Sequence, residues 1–432
     1  MKLFTVFPIL YLLLAGSSLA AATETAESPA RLFIDGGTLI DGTGAQPGKN
    51  PGVLVEGERI HSLGGAAGAE SGTRQISANG KWVLPGLFDL HVHVTFKLPG
   101  PRRLDDDIVN AIRSERFLER YQEIGVTTVR DVGAREWIGY SLKRTQRAGL
   151  MGGARYYTSG PIITVTGGHG SEFQPLHPPL WAVEANGPWA MRERVREAIK
   201  LEADLIKVAP FLTEEEMAAI VDEARIYHLR VTAHIGGTHD LDKQSGRIAV
   251  EAGVDSTEHM YPYGGADVIN AMVEKGIYVI PTLGFHLREL NNEYAANAEK
   301  QSARWLSENL GHTYETMMEQ FRDMKAAGVR FAVGTDSNVK DLETIDQLYL
   351  QELQAFQTAG MSNMEIIQAA TLRAAEAMGL EDELGSVAAG KRADLIVLGA
   401  DPLQDIKALV YPELVIQDGR IVCCGSSNLG HP

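Results

Sequence analysis

Residues 84–93 read Leu84-Pro85-Gly86-Leu87-Phe88-Asp89-Leu90-His91-Val92-His93, so that an apolar run leads directly into two histidines. Successive side chains of a β-strand point to opposite faces, and residues two apart therefore share a face. His91 and His93 could then bind one metal ion together. A His-x-His pair alone is weak evidence for a metal site, but its place at the end of an apolar strand strengthens that interpretation.

Four further fragments place a potential metal ligand inside or at the end of an apolar run. They contain Lys207 in 204–208, His234 after Val231-Thr232-Ala233, His259 in 256–259 and Asp336 after Gly334-Thr335. Together with the first fragment they supply four imidazoles, a carboxylate and an amine that can be converted to a carboxylate. That set is sufficient to bind two divalent metal ions.

Each of these residues also has an ordinary structural interpretation. Lys207 could form a buried ion pair or extend its amine to the surface, whereas desolvation would favour a neutral amine that reacts with carbon dioxide to give a bridging carbamate. A single histidine such as His234 or His259 is usually a satisfied core residue, but two in consecutive units favour a metal site. Asp336 could cap a helix, or bind metal and shuttle a proton.

The segment from 85 to 380 predicts an α/β fold. Short apolar strands, eight including the one before His91, alternate there with amphipathic helical stretches such as 213–228, 267–275 and 364–378. This alternation is typical of parallel βαβ units, and at this length we expect a closed (β/α)8 TIM-like barrel. Catalytic groups of such barrels lie at the C-terminal ends of the strands, where the five fragments should meet.

The two flanking segments predict a second, smaller domain. Residues 31–84 and 381–432 contain short apolar runs separated by turn residues, which indicates small antiparallel strands. We expect these segments, although they lie at opposite ends of the chain, to pair into one β-sandwich.

Residues 1–20 are typical of an export signal. Lys2 precedes an apolar stretch, and Ser18-Leu19-Ala20 offers small residues for cleavage. The stretch is short for a bilayer crossing, and an uncleaved membrane anchor is the alternative. We expect a periplasmic or secreted protein with no stable membrane insertion after cleavage of the signal.

The composition limits the classes of partner. The chain of 432 residues has 40 Lys and Arg against 56 Asp and Glu, a net charge of −16 that disfavours nucleic acid as a partner. Cys423 and Cys424 are the only cysteines, so a disulfide framework is excluded. A small-molecule or dipeptide substrate is the expected partner, and the sequence leaves a homo-oligomer open.

Two loop residues are candidates for substrate binding. His169 lies in Thr166-Gly167-Gly168-His169-Gly170, where the glycines permit close backbone approach, and Tyr261 follows His259 by two residues. Ordinary loop packing is the alternative for both.

These stretches resemble the metal-dependent amidohydrolases, specifically the imidazolonepropionase-like branch that includes prolidases. The most specific stretches are 85–93, 125–131, 166–170, 255–259 and 384–395. The resemblance implies two ions, expected to be Zn²⁺, and a role for each of six side chains. By this likeness the more buried ion is bound by His91, His93 and Asp336, the more exposed ion by His234 and His259, and N6-carboxylated Lys207 bridges them.

The expected activity is hydrolysis of an amide or peptide bond in a small substrate, such as Xaa-Pro, another dipeptide or an N-acyl amino acid. A metal-bridged hydroxide would attack the carbonyl while Asp336 passes a proton to the leaving amine. One alternative is a mononuclear deaminase or cyclic-amide hydrolase on the same barrel, which would not need Lys207. The other is a non-catalytic metal-binding protein, because a fold alone does not determine chemistry.

Overall fold

The computed structural model describes residues 31–64, 72–96, 106–171, 181–236, 244–261, 263–291 and 313–424. The predicted signal at 1–20 lies outside these ranges. Across the described residues, every helix is too short or too polar to cross a membrane.

The strands are β1 (Arg31–Asp35), β2 (Thr38–Leu39), β3 (Gly48–Lys49), β4 (Val53–Glu56), β5 (Arg59–Leu63), β6 (Thr73–Ser77), β7 (Trp82–Pro85), β8 (Leu87–His93), β9 (Val126–Asp131), β10 (Arg155–Thr158), β11 (Ile162–Thr164), β12 (Ala182–Glu184), β13 (Leu205–Val208), β14 (Arg230–His234), β15 (Ser256–Glu258), β16 (Tyr278–Ile280), β17 (Arg330–Phe331), β18 (Ser337–Asn338), β19 (Leu395–Leu398), β20 (Leu414–Gln417) and β21 (Arg420–Cys424). The helices are α1 (Asp106–Glu123), α2 (Glu136–Arg147), α3 (Pro188–Lys200), α4 (Glu214–Ile226), α5 (Ser245–Ala252), α6 (Ala266–Lys275), α7 (Leu283–Asn291), α8 (Tyr314–Ala327), α9 (Ile345–Thr358), α10 (Asn363–Ala369) and α11 (Leu372–Met378).

Parallel strands alternate with helices through the middle of the chain. One sheet has the order β10-β9-β8-β18, and a second contains β13-β14-β15-β16-β17. Backbone hydrogen bonds join the two sheets at both edges, from Leu90 N–H to the Val333 carbonyl at 2.9 Å and from Asp204 N–H to the Thr158 carbonyl at 2.9 Å. This α/β arrangement is consistent with the predicted TIM-like barrel.

The helices pack on the strands through apolar faces at helical spacing. In α4 the buried apolar side chains include Met217, Ile220, Val221 and Ala224, which lie three or four residues apart. Thr213 caps the start of this helix through a reciprocal pair of hydrogen bonds with Glu216. Such faces join the strand side chains in one large hydrophobic core.

Two predicted elements differ from the structure. The stretch expected to be one helix at 364–378 is divided into α10 and α11, because Thr371 has non-helical angles (φ −133°, ψ −98°) and its hydroxyl donates to the Ile367 carbonyl. The last barrel strand is shorter than the apolar run 331–334 suggests, since only Arg330–Phe331 forms a ladder with β16.

The two terminal segments share a sheet and a core. The order β21-β20-β19-β7-β2-β3 interleaves strands from both ends of the chain, and β19 pairs antiparallel with β7. A second sheet, β5-β4-β1-β6, comes from the N-terminal segment. A single hydrophobic cluster contains residues of both sheets, among them Ile34, Val55, Val83, Leu395 and Ile416.

Candidate metal centre

The six predicted metal ligands all lie near the carboxyl ends of barrel strands. They are His91 and His93 in β8, Lys207 in β13, His234 at the end of β14, His259 directly after β15, and Asp336 between β17 and β18. Because β18 pairs in parallel with β8, Asp336 is held beside the His-x-His pair, and its N–H donates to the His91 carbonyl at 2.8 Å.

Several residues at this rim have a left-handed backbone. His259 has φ 73°, Thr282 has φ 47° and Asp336 has φ 55°. Such angles are uncommon for residues other than glycine, particularly β-branched ones, and tend to cluster at functional sites. The bends occur where the chain leaves the strands of the barrel.

Five of the six side chains converge. Asp336 Oδ1 lies 3.5 Å from His91 Nε2 and 3.3 Å from His93 Nε2, while its Oδ2 lies 4.0 Å from His259 Nδ1. His259 Nε2 is 3.1 Å from His234 Nδ1. One ligand atom each from His91, His259 and Asp336 fall within 4.8 Å of one another.

The sixth residue, Lys207, is enclosed with its amine unpaired. Its side chain is 1% exposed, so the amine does not reach the surface, and among the described residues its Nζ has no hydrogen-bond partner. The structure thus does not place Lys207 in the hydrogen-bonded ion pair that was the ordinary interpretation. Burial lowers the pKa of Lys207 to about 8, although the charges of Glu258 and Asp336 act in the opposite direction.

Burial also controls the charge of the imidazoles and of Asp336. It lowers the pKa of His91 to about 4, with Asp336 opposing the shift, and it holds the pKa values of His234 and His259 well below their ordinary range. Burial would raise the pKa of Asp336, but His91 and His93 bring it to about 2. At neutral pH His91, His234 and His259 are therefore neutral and Asp336 is ionised, the forms in which these groups bind metal.

Hydrogen bonds at Nδ1 of His91 and His93, the ring nitrogens that point away from Asp336, fix the orientation of these two rings. His91 Nδ1 lies 2.7 Å from Glu258 Oε2, and His93 Nδ1 lies 3.4 Å from the Gly133 carbonyl. Glu258 also accepts from Arg130 at 2.5 Å. The sequence interpretation missed Glu258 and Arg130, although an acidic residue within the Ser256–Glu258 strand was a signal that could have identified the first.

The alternative role of Asp336 as a helix cap is wrong. The short 3₁₀ turn Val339–Asp341 is capped by Asn338, whose side chain accepts from the Lys340 N–H. The Asp336 carboxylate instead faces the histidine cluster.

Both candidate substrate-binding residues lie beside the cluster. The His169 ring is 4.7 Å from the His234 ring between centroids, and the Tyr261 ring is 6.2 Å from it. His286 of α7, which the sequence interpretation missed, lies 5.2 Å from the Tyr261 ring.

A wall of rings continues from the cluster on one side. Phe96 stacks on His93 with centroids 4.2 Å apart, and Trp181 lies 5.3 Å from Phe96 and 5.8 Å from His169. These aromatic side chains give the site an apolar flank.

The arrangement fits divalent metal ions. Imidazole nitrogens and a carboxylate are the ligands that zinc and similar ions prefer. Among the described residues the buried Lys207 amine lacks a hydrogen-bond partner, which leaves it available to a group that binds in the cluster. Two sets of donors are present, one around Asp336 and one formed by His234 and His259.

Comparisons with known proteins agree with this geometry. The amidohydrolase family matches residues 82–422. An ochratoxinase of Aspergillus niger is 26% identical over 432 residues, covering 89% of this chain and 84% of its own, and an imidazolonepropionase of Shouchella clausii is 25% identical, covering 86% and 85%. The crystal structure of a Xaa-Pro dipeptidase with bound methionine in the active site superposes with a TM-score of 0.78 at 27% identity, covering 90% of this chain and 99% of that one.

Proposed function

The chain belongs to the amidohydrolase family, and from this premise we propose that it is an exported, binuclear amidase or dipeptidase. Membership makes it a metal-dependent hydrolase acting on amide bonds. The proposed substrates are Xaa-Pro or other dipeptides and N-acyl amino acids. Two Zn²⁺ ions and N6-carboxylated Lys207 are the proposed cofactors.

The buried amine of Lys207 is the observation that carries the two-metal proposal. It is unpartnered among the described residues, and its charge influences the pKa values of His91, His234 and His259 alike. A pKa of about 8 makes the neutral form of the amine far more accessible at neutral pH than it is for an ordinary lysine, and the neutral form reacts with carbon dioxide. The carbamate would have two oxygens, so it could supply one ligand to each of the two ions.

Each side chain has a defined task in this proposal. His91, His93 and Asp336 would hold one ion, His234 and His259 the other, and the Lys207 carbamate both. When bound, two such ions lower the pKa of a water molecule and polarise the scissile carbonyl.

Asp336 is the proposed proton carrier. Its carboxylate is ionised at neutral pH, with a pKa of about 2, and 12% of its side-chain surface is exposed. It can therefore accept a proton from the attacking water and return it to the departing nitrogen. An amine is a poor leaving group unless it is protonated, so the reaction requires this transfer.

The substrate class rests on the relatives and on the walls of the site. Similarity to a Xaa-Pro dipeptidase and to an ochratoxinase supports a small amide or peptide substrate. His169 and Tyr261 lie beside His234, where each could contact the substrate carbonyl or its flanking groups.

A hydrolysis screen tests this function. Purified protein supplied with zinc and bicarbonate would be assayed with Xaa-Pro peptides, other dipeptides, N-acyl amino acids, lactones and a nucleobase. We expect release of an amino acid and close to two zinc ions per chain. Turnover of a lactone or nucleobase alone would overturn the proposed substrate class. One ion per chain, unaffected by Lys207→Ala, would favour the mononuclear alternative.

We also propose the division of the chain into domains and its location. Residues 85–380 would form the hydrolase barrel, residues 31–84 with 381–432 a β-sandwich, and residues 1–20 a cleaved signal that directs the protein to the periplasm or outside the cell. The cluster shared by both terminal sheets supports the second unit. N-terminal sequencing of the mature protein after cell fractionation tests the signal, and light scattering tests for a homo-oligomer.

A further inference from the structure

Thr282 contacts His259, the proposed metal ligand that directly follows β15. Its Oγ1 lies 2.8 Å from Nδ1 of His259, and its side chain is fully buried. Thr282 follows β16 and Pro281 and immediately precedes α7. The neighbouring strand holds the same histidine through its backbone, because His259 N–H donates to the Ile280 carbonyl at 2.8 Å.

The position of Thr282 would ordinarily give its hydroxyl another role. A threonine directly before a helix commonly caps the free N–H groups of the first turn. In this structure Glu352 of α9 accepts from the Gly284 N–H at 2.5 Å instead. The backbone of Thr282, with φ 47°, is in a region that β-branched residues rarely adopt. Because Glu352 caps this helix and the backbone of Thr282 turns sharply, the Thr282 hydroxyl is free to contact His259.

The two nitrogens of His259 have different surroundings. Nε2 lies 3.1 Å from Nδ1 of His234, the second histidine of the proposed second metal site. Nδ1 is 4.0 Å from Asp336 Oδ2, which is too far for a hydrogen bond, whereas the Thr282 hydroxyl is within range. When a neutral imidazole binds metal through one nitrogen, the other carries the proton and needs an acceptor.

We propose that Thr282 is a positioning residue whose hydroxyl accepts a hydrogen bond from the Nδ1–H of His259 and so reserves Nε2 for the second metal ion. Without the hydroxyl, the imidazole loses the acceptor that selects this tautomer and holds the ring plane. The inference rests on the proposed two-metal function and deepens it, because it makes the binding affinity for one ion depend on a residue that does not contact that ion.

Three substitutions separate the hydroxyl from the backbone strain. Thr282→Ser keeps the hydroxyl, Thr282→Val removes it while keeping the β-branched shape, and Thr282→Gly removes it while accommodating the positive φ. Thr128→Val is the matched control, because Thr128 is also fully buried, in β9, and its Oγ1 accepts from Arg155 at 3.1 Å rather than from an imidazole.

The readouts are the number of zinc ions per chain and the zinc affinity of each site in competition with a chelator. We expect Thr282→Val and Thr282→Gly to lower the zinc affinity of one of the two sites by ~10–100-fold. Thr282→Ser and Thr128→Val should retain wild-type affinity. If the valine variant fails to fold, the glycine and serine variants still give the comparison.

Two results would contradict different claims. If the wild type binds two ions and the glycine variant binds both equally tightly, Thr282 does not position His259 and this inference is wrong. A wild-type chain that binds a single ion would contradict the two-metal function itself, and the role of Thr282 with it.

Discussion

Glu258 Oε2 and His91 Nδ1 lie 2.7 Å apart, and both side chains are enclosed, with 0% and 1% of their surfaces exposed. Burial would raise the pKa of Glu258, but the charges of Arg130 and Lys207 and the hydrogen bond with His91 hold it far below its ordinary value. An ionised acceptor at Nδ1 turns the other nitrogen of His91 toward Asp336. The relationship therefore links a buried charge to the orientation of a proposed metal ligand.

Glu258→Gln should weaken both folding and metal binding. The glutamine keeps an acceptor but removes the charge that pairs with Arg130 at 2.5 Å, so a buried guanidinium loses its counter-charge. We expect a loss of about 3–5 kcal/mol in the free energy of unfolding and ~10–100-fold weaker zinc binding. Urea unfolding and chelator competition measure the two effects.

Glu223→Gln is the control for this prediction. Glu223 is also buried, but its partners Arg192 and Arg196 are partly exposed and keep their contact with water. We expect less than about 1 kcal/mol of destabilisation and wild-type zinc affinity. Equal effects of the two substitutions would contradict a specific role for Glu258.

Lys207→Ala should reduce the bound metal from two ions to one or none, because the proposed bridging ligand is removed. Hydrolysis should fall by at least ~100-fold, in keeping with loss of the activated water. A small carboxylic acid that enters the space left by the side chain should restore part of the activity. Metal analysis and hydrolysis assays, each with and without added formate, check the two outcomes.

Lys143→Ala provides the comparison for a buried lysine of a different kind. Lys143 is 4% exposed and forms an ion pair with Asp204 at 2.6 Å. Its loss should lower the melting temperature without changing the metal content. Identical metal content in the two variants would argue against a bridging Lys207.

The sequence predicted the elements that carry local signals. The strand Arg230–His234 is found where the apolar run predicted it, and the helices predicted at 213–228 and 267–275 begin and end within two residues of those bounds. The convergence of the histidines could be anticipated because parallel barrel strands bring their carboxyl ends together.

Contacts between distant segments could not be predicted in the same way. The hydroxyl of Thr282 meets His259, and the carboxylate of Glu352 meets α7, through positions set by tertiary packing rather than by local pattern. The break at Thr371 likewise depends on backbone angles that apolar periodicity does not encode. Local sequence therefore identified the proposed ligands, whereas the residues that orient them required the structure.

Asp336→Asn should abolish most of the hydrolysis while leaving the fold intact. An amide cannot accept a proton from water or deliver one to the leaving amine, and general acid–base groups contribute ~10²–10⁴-fold to rate. We expect kcat to fall within this range. Circular dichroism and metal content should be recorded alongside kcat. Unchanged kcat would eliminate Asp336 as the proton carrier.

His169→Asn should lower kcat/KM by ~10-fold, about the contribution of one hydrogen bond to a bound substrate, because its ring lies 4.7 Å from that of His234. His228→Asn is a suitable control. His228 is exposed, and its φ of 56° is one that asparagine tolerates well. Steady-state kinetics on the best substrate from the screen should distinguish the two variants. Equal kcat/KM values would place His169 outside the substrate contacts.

Glu352→Gln should change how stability depends on pH. Burial raises the pKa of Glu352 from 4.5 to about 8, with the backbone N–H groups of Gly284 and Leu283 opposing the shift. Between these values the unfolded chain ionises Glu352 while the folded chain keeps it protonated, so the contribution of Glu352 to stability is present below pH 4.5 and declines as the pH rises toward 8.

Glutamine at position 352 does not titrate but can still accept a hydrogen bond from the Gly284 N–H. The free energy of unfolding of the variant, relative to wild type, should therefore increase by on the order of a few kcal/mol between pH 5 and pH 8. Glu365→Gln should show a constant difference over this range and a change only below about pH 4.5, where protonation removes the stability that ionised Glu365 contributes, since hydrogen bonds from Ser362 and the charge of Lys325 outweigh burial and lower the pKa of Glu365. Urea unfolding at four pH values measures both differences, and a difference for Glu352→Gln that stays constant with pH would show that this carboxyl is ionised in the folded protein.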